Sequence, residues 1–157
     1  MSQPLTPPKP PKTTRHLDNL RGLVTGETPP PPIAQLIGFT VAHVELGATI
    51  LELAAGQRHA NPMGTLHGGV LCDVGDAAMG IAFATTLEDD ETFTTLDLTA
   101  KYFKPVWNAQ LRACAHVVKR TRTLGLIECD ITDEGGSLVA KIYSSCMVLR
   151  GQDARGR

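Results

Sequence analysis

Several features that would place a protein in a specialised class are missing from this chain of 157 residues. Aromatic residues make up only 4% of it, and the formal net charge is -1, so the charge balance predicts neither a nucleic acid nor an anionic membrane as partner. No apolar run is long enough to cross a membrane, and the first residues lack the apolar core of a secretion signal. These absences predict a cytosolic protein, and the length of 157 residues predicts one main folded domain.

The cysteines also fail to form a recognisable framework. They lie far apart and include no Cys-x-x-Cys pair, which argues against a structural zinc site and against a set of disulfides. We interpret them as small core residues. A catalytic thiol at Cys72 is a weaker alternative, because no neighbour in the sequence would activate it. The four are Cys72, Cys114, Cys129 and Cys146.

What the chain does contain is a polar loop that leads into a long apolar segment. The loop, residues 61–69, ends in His-Gly-Gly, and residues 70–87 hold no proline, which predicts a helix. The first N–H groups of a helix lack partners and carry the positive end of its dipole. Gly68 and Gly69 could therefore donate N–H groups to a developing oxyanion. Asp76 follows inside the helix, where an acid needs a partner or a function.

This segment resembles the active-site signature of the hotdog-fold acyl-CoA thioesterases, in the PaaI-like branch that includes 4-hydroxybenzoyl-CoA thioesterases. The signature has Asn, then Gly, then His-Gly-Gly, then an acid nine residues after the histidine, as at His67 and Asp76. The resemblance continues through residues 94–105 and covers roughly residues 33–149. It implies an α+β hotdog fold, in which a curved antiparallel sheet of about six strands wraps one long central helix.

The resemblance implies that Asp76 is the catalytic acid, acting either as general base on water or as nucleophile on the thioester carbonyl. Asp73, one turn earlier, is a rival that the residues alone do not reject, and we expect it to face solvent or a subunit contact. Gly68 is expected to donate its N–H to the oxyanion. We expect His67 to orient the loop with Asn61 and to help hold the thioester oxygen.

Other residues of the predicted site surround the thioester. Thr95, which we expect to open the strand after the helix, matches a family position whose hydroxyl orients the attacking water, and Thr94 is the neighbouring alternative. We expect Gly69 to contact the substrate. Met79 and Phe83 are predicted to form pocket walls together with a partner subunit.

Coenzyme A would enter as part of the substrate, and its phosphates need a basic rim. The densest positive run is 119–122, at a predicted hairpin end, so we predict that Arg120 and Arg122 bind the phosphates. Arg58 and Lys101 are secondary candidates. The resemblance implies no metal and no redox cofactor. The chain has neither a Walker-type phosphate loop nor a dinucleotide fingerprint.

The chain divides into three predicted parts. Residues 1–32 form a proline-rich extension with a short helix at 16–24, docked on the domain or on a partner subunit. Residues 33–150 form the hotdog domain, and residues 151–157 form a flexible tail.

Small residues recur along the central helix, which would let a wrapped sheet approach its backbone. Strands are predicted at 39–46, 48–53, 95–102, 111–117, 126–131 and 138–149.

The resemblance also implies a homodimer or homotetramer with its site at the dimer interface, so that Gly68 and Asp76 come from different subunits. One rival is a hotdog acyl-thioester dehydratase or hydratase, whose signature couples a histidine to a Phe-Pro run that is missing here. The other is a non-catalytic acyl-CoA-binding module, which would not need Asp76. The identity of the acyl group stays open at this point.

Overall fold

The computed structural model describes residues 14–154, and there the chain forms one antiparallel sheet around a long central helix. The helices are α1 (Arg15–Thr25), α2 (Pro32–Ile37) and α3 (Gly68–Ala84). The strands are β1 (Phe39–Glu45), β2 (Ala48–Ala55), β3 (Glu91–Tyr102), β4 (Ala109–Arg120), β5 (Leu124–Thr132) and β6 (Leu138–Arg150). The strand order is β1-β2-β4-β5-β6-β3, and α3 contacts all six strands. The hotdog prediction is confirmed.

The composition of α3 explains how the sheet can wrap it. Ala78 and Ala82 are fully buried, and a Cβ added at Gly75 would lie 2.3 Å from Ile142 Cδ1 on β6. Larger side chains at these positions would push the sheet away from the helix, because protein interiors leave no spare volume. The core therefore fills the narrow layer between α3 and the inner face of the sheet.

The hairpins follow the turn signals of the sequence. Gly47 links β1 to β2 with a φ of +77°, a conformation that glycine adopts at no steric cost. Its N–H donates to Thr85 Oγ1 at 2.7 Å, which ties this hairpin to the end of α3. The turn between β5 and β6 is organised by the Asp133 carboxylate, which accepts hydrogen bonds from the N–H groups of Gly135 and Ser137.

Strand β3 differs from the prediction in two ways. It begins at Glu91, so Thr95 lies within the strand and does not open it. The β3–β6 register also shifts between Thr95 and Asp97, which marks a β-bulge. An extra residue in one strand inverts the alternation beyond it. Leu96 is consequently exposed while Leu98 packs on the core, although even alternation along this strand would place both leucines on one face.

The N-terminal region contributes two helices to the described chain. The predicted helix is confirmed as α1, which contacts β1 and α3 and therefore docks on its own domain. Helix α2 was not predicted: it begins at Pro32, whose fixed φ suits the first turn of a helix. The predicted tail starts with a short 3₁₀ turn, Gly151–Ala154. The expectations for residues 1–13 and 155–157 lie outside the described residues.

Candidate active site

Asp76 lies on α3 and, within residues 14–154, has a hydrogen-bond donor but no cationic partner. Its Oδ1 accepts a hydrogen bond from Thr95 Oγ1 at 3.2 Å. Burial raises the pKa of Asp76 above its usual range, the Thr95 hydroxyl opposes this rise, and the nearby charge of Asp73 adds to it. Asp73 itself is exposed, as expected. A carboxylate with a raised pKa and one neutral donor is a suitable general base.

The N-terminus of α3 offers one available N–H group. The Gly69 N–H is already taken, because it donates to Nδ1 of the helix-capping His67 at 2.9 Å. Gly68 is the first residue of the helix, and its N–H makes no hydrogen bond to the rest of the described chain. The geometry therefore favours Gly68 as the oxyanion donor and gives Gly69 the role of fixing His67.

The capping hydrogen bond also determines the chemistry of the His67 ring. Since Nδ1 accepts the Gly69 N–H, the neutral imidazole carries its proton on Nε2. The exposed Nε2–H can donate to a thioester oxygen but cannot accept a proton from water. Of the roles open to this histidine, the structure supports helix cap and hydrogen-bond donor.

Asn61 shapes the loop that carries His67. Its Nδ2 donates to Thr65 Oγ1 at 2.8 Å, and its Oδ1 accepts the Met63 N–H at 2.9 Å. Both ends of the amide are engaged within the loop, and no bond to His67 is formed in the described structure. Within the described residues, Asn61 is thus connected to His67 only through the loop, and their joint orientation of the substrate stays a prediction.

Tyr102, near the Gly68 end of α3, was missed by the sequence reasoning. Its hydroxyl donates to the Gly68 carbonyl oxygen at 3.1 Å, and its oxygen lies 3.0 Å from Cys72 Sγ. The Cys72 hydrogen bond and burial raise the pKa of Tyr102 to about 12, so it stays a donor. The available signal was its position in the strand pattern, on the same face as Leu98 and Ala100, which pack on the core.

Three clefts of the described structure meet the site residues, and the third is a polar groove of about 310 Å³ that Asp76 and Thr95 share with Cys72, Asp73 and residues 96–98. The first, called here the Asp76 pocket, has a volume of about 360 Å³. It is lined by Leu20, Pro31, Ile33, Phe39, Val41, Asp76, Ala77, Gly80, Ile81, Ala84, Phe93 and Thr95. The second, the Gly68 cleft, is lined by Leu66, Gly68, Leu71 and residues 102–106. Within one chain, the acid and the oxyanion donor therefore face different cavities.

The predicted pocket walls at Met79 and Phe83 are wrong. Both side chains are fully buried against the sheet and line none of these cavities. The pocket instead uses Ala77, Gly80 and Ile81, which lie on the adjacent face of the helix. Residues 79 and 83 share the core-facing stripe with Gly75, as the helical repeat requires.

Arg120, one of the two arginines predicted to bind phosphate, already has a partner within the fold. Its guanidinium lies 2.8 Å from the carboxylate of buried Glu91 and 5.5 Å from the centre of the Phe83 ring. Arg150 binds the other oxygen of Glu91. Arg120 is thus committed to the fold. Arg122 is exposed, and its side chain pairs with no group of residues 14–154, so it remains available to a phosphate.

Arg58 and Lys101 were the secondary candidates for phosphate binding, and Arg58 is used to hold the fold together. Arg58 Nη2 donates to the Ile37 carbonyl at 3.2 Å, and buried His59 places Nε2 2.8 Å from the same oxygen. Both hold the end of α2. Lys101 is exposed on β3. Within the described residues, no group of three or more His, Cys, Asp or Glu side chains could hold a metal ion.

Comparison with known proteins agrees with this geometry. A family model, the thioesterase superfamily, matches residues 63–140. The chain is 27% identical over 116 residues to 1,4-dihydroxy-2-naphthoyl-CoA hydrolase of Listeria monocytogenes, covering 74% of this chain and 93% of that protein. It is 27% identical over 131 residues to acyl-coenzyme A thioesterase 13 of Homo sapiens, covering 82% and 93%. The crystal structure of a phenylacetic acid degradation-related protein of Ralstonia eutropha matches with a TM-score of 0.74 at 27% identity, covering 82% and 98%.

The fold and these matches define the class: the chain belongs to the thioesterase superfamily. Within it, the chain is a hotdog-fold thioester hydrolase of the PaaI-like branch. Among residues 14–154, no helix is long and apolar enough to cross a membrane.

Proposed function

We propose that this protein hydrolyses acyl-CoA thioesters and that Asp76 drives the attack on the thioester carbonyl. The observation that carries the proposal is the position of Asp76, which has no cationic partner in the described chain and lines an apolar pocket. The two relatives described above are named for hydrolysis of CoA thioesters. The acyl group would enter the Asp76 pocket, and the CoA moiety would extend toward solvent.

The proposed reaction starts with ionised Asp76. As general base, it takes a proton from a water molecule, whose oxygen bonds to the thioester carbonyl carbon. The carbonyl oxygen becomes an oxyanion, which the Gly68 N–H and the His67 Nε2–H stabilise. The carbon–sulfur bond then breaks, the free acid forms, and the CoA thiolate takes up the proton. If Asp76 attacks the carbon directly, water hydrolyses the resulting anhydride; both routes need the ionised carboxylate and the same oxyanion donors.

The proposed site is shared between two subunits. Gly68 and Asp76 are eight residues apart on α3, about 12 Å along the axis at the standard helical rise. They also face different cavities of one chain. A two-fold dimer with antiparallel α3 helices would bring Asp76 of one subunit to Gly68 of the other and form two equal sites.

Subunit mixing tests this arrangement. One chain carries Asp76→Asn, and the other carries Gly68→Val, whose Cβ would lie 3.1 Å from the Tyr102 ring. Each homodimer should be inactive, and mixed dimers should regain up to one working site in two. Inactive mixtures with subunit exchange confirmed by mass spectrometry would instead place each site within one chain.

We extend the proposal to the partners and the surroundings of the enzyme. Residues 33–150 would form the catalytic domain of a homodimer or homotetramer in the cytosol, without a cofactor. Arg122 supports binding of the CoA phosphates because it is exposed and unpaired among the described residues. Lys101 is a second exposed cation, on β3.

Release of free CoA thiol from acyl-CoA substrates, followed colorimetrically, tests the proposed activity. The expected result is steady release by the parent chain and a loss of about a thousandfold in Asp76→Asn. A change of the acyl group without thiol release would indicate the dehydratase or hydratase alternative. Acyl-CoA binding with neither reaction would indicate a binding module.

A further inference from the structure

One side of the Asp76 pocket is lined by a part of the chain that the thioesterase family model does not match. Leu20 comes from α1, and Pro31 and Ile33 come from the start of α2. All three precede residue 63, where the family match begins. On the basis of the function proposed above, we propose that this N-terminal wall determines the length and polarity of the acyl group that the enzyme accepts.

The chemistry of the pocket defines the substrate class. Asp76 and Thr95 are its only polar side chains among the described lining residues, and they hydrogen-bond to each other. The remaining lining residues are apolar. A polar group at the far end of the acyl chain would lose its water without gaining a partner, which is unfavourable. The pocket therefore selects an alkanoyl or unsubstituted arylacetyl group.

The wall is firmly held by contacts on α1. The Arg15 N–H donates to Asp89 Oδ1 at 2.9 Å, so the start of α1 is fixed to the loop after α3. Leu17 is 2% exposed, and Thr28 folds back to bond the Gly22 and Asn19 carbonyl oxygens. Leu20 is consequently held at a fixed position in the pocket.

Helix α2 is held from the other side. Its Ile37 carbonyl contacts both Arg58 and His59, which belong to the segment that leads into the 61–69 loop. Ala34 and Ile37 are buried in the core, so Ile33 lies on a helix whose inner face is fixed. Because both helices are held in place, the pocket has a definite depth, and this depth would limit the length of the acyl chain that fits.

The opposite side of the pocket offers a second way to change its size. Gly80 lines the pocket, and a Cβ added there would lie 3.4 Å from Phe93 Cζ, an ordinary van der Waals contact. Gly80→Ala should therefore narrow the pocket without strain. Leu20→Ala should deepen it. Leu36→Ala, on the exposed side of α2 and outside the pocket, is the matched control.

The experiment measures kcat/KM of the full chain and these three variants with butanoyl-, octanoyl-, dodecanoyl-, phenylacetyl- and 4-hydroxyphenylacetyl-CoA. Leu20→Ala should raise the dodecanoyl-to-octanoyl ratio by about tenfold, and Gly80→Ala should lower it by a similar factor, since methylene contacts in apolar pockets discriminate on this scale. The parent should prefer phenylacetyl over its hydroxylated analogue by about tenfold. Leu36→Ala should turn over butanoyl-CoA at the rate of the parent, and circular dichroism of all three variants should match that of the parent, which reports intact folding.

Two results would overturn the inference and are distinguishable from each other. If the parent hydrolyses acyl-CoA but Leu20→Ala and Gly80→Ala leave the chain-length ratios equal to those of the parent and of Leu36→Ala, the N-terminal wall does not contact the acyl group, and the proposed function stands. If the parent releases thiol from none of the substrates, the proposed function fails as well.

Discussion

Two carboxylates near strand β3 have opposite surroundings. Glu91, the first residue of β3, is buried and bound by Arg120 and Arg150. Burial alone would raise the pKa of Glu91, but the Glu88 N–H, Arg150 and Arg120 together bring that pKa below its usual range. Among the described residues, Asp76 has one neutral donor, Thr95, and burial raises the pKa of Asp76.

The comparison teaches how one fold separates stability from chemistry. At Glu91 the negative charge is neutralised, and it joins β3 to β4 and β6. At Asp76 the charge is left without a cationic partner within residues 14–154, which weakens the folded state but keeps the carboxylate reactive in the proposed mechanism. Functional sites commonly retain such unfavourable groups because activity depends on them.

The largest expected effect is on catalysis at Asp76. Asp76→Asn should lower kcat by about a thousandfold, because the amide cannot accept a proton or attack a carbonyl. KM should change little, since the acid acts in the transition state. Thiol release under saturating substrate checks this. Asp73→Asn is the matched control, and a greater loss in that variant would identify Asp73 as the catalytic acid.

The second effect is on stability at Glu91. Glu91→Gln should lower the free energy of unfolding by about 3 kcal/mol, because two arginines lose their shared counter-charge. Urea unfolding measures it, with exposed Asp90→Asn as control. Because the pKa of Glu91 is lowered in the folded state, its contribution should be present at neutral pH and lost as pH falls through that pKa. Equal stability of the parent and Glu91→Gln at neutral pH would contradict this account.

Asp76→Asn should be at least as stable as the parent at neutral pH, in contrast to Glu91→Gln. Since the pKa of Asp76 is raised, ionisation at neutral pH disfavours the folded state, and the amide removes this cost while still accepting the Thr95 hydrogen bond. Thermal unfolding at neutral pH should show a Tm at least as high as that of the parent. At acidic pH, where Asp76 is protonated, the difference should disappear. A lower Tm at neutral pH would mean that Asp76 has a stabilising partner.

A smaller effect is expected at Thr95. Thr95→Val removes the hydrogen bond that, among the described residues, favours ionised Asp76, so the pKa of Asp76 should rise further and kcat/KM on the acidic side of neutral pH should fall by up to about tenfold. Thr95→Ser should restore both, because it keeps the hydroxyl. A Thr95→Val enzyme with the activity of the parent would remove Thr95 from the site.

The smallest effect on activity is expected at Arg122, which follows β4. Arg120, the last residue of β4, should behave differently. Arg122→Ala should raise KM for acyl-CoA by about threefold, less at high salt, since an exposed charge contact contributes little. Arg120→Ala should instead lower stability, because it removes a partner of Glu91. An unchanged KM in Arg122→Ala would move the phosphate site to Lys101.

The fold was largely predictable, because its signals are local. Alternation marked most strands, and the long proline-free segment marked α3. The bulge near Leu96 gave no signal, since the sequence alternates evenly through it and only pairing with β6 reveals the shift. Helix α2 was hidden by its prolines.

The candidate site was predictable only in part for a similar reason. His67, Gly68 and Asp76 lie within one ten-residue stretch, so the family motif could predict them together. The pairing of Arg120 with Glu91 joins residues that are 29 positions apart, so it depends on the tertiary structure. The same holds for Leu20, which reaches the Asp76 pocket from another helix.

The central claim is that an unneutralised Asp76 must be ionised for hydrolysis. The dependence of kcat/KM on pH tests it most directly, measured with acyl-CoA and with an acyl thioester that lacks the CoA phosphates. Activity of the parent should fall with decreasing pH already above the usual aspartate range, with both substrates, and the residual activity of Asp76→Asn should lack this limb. A parent profile that stays flat down to the usual aspartate range, or the same limb in Asp76→Asn, would contradict the account.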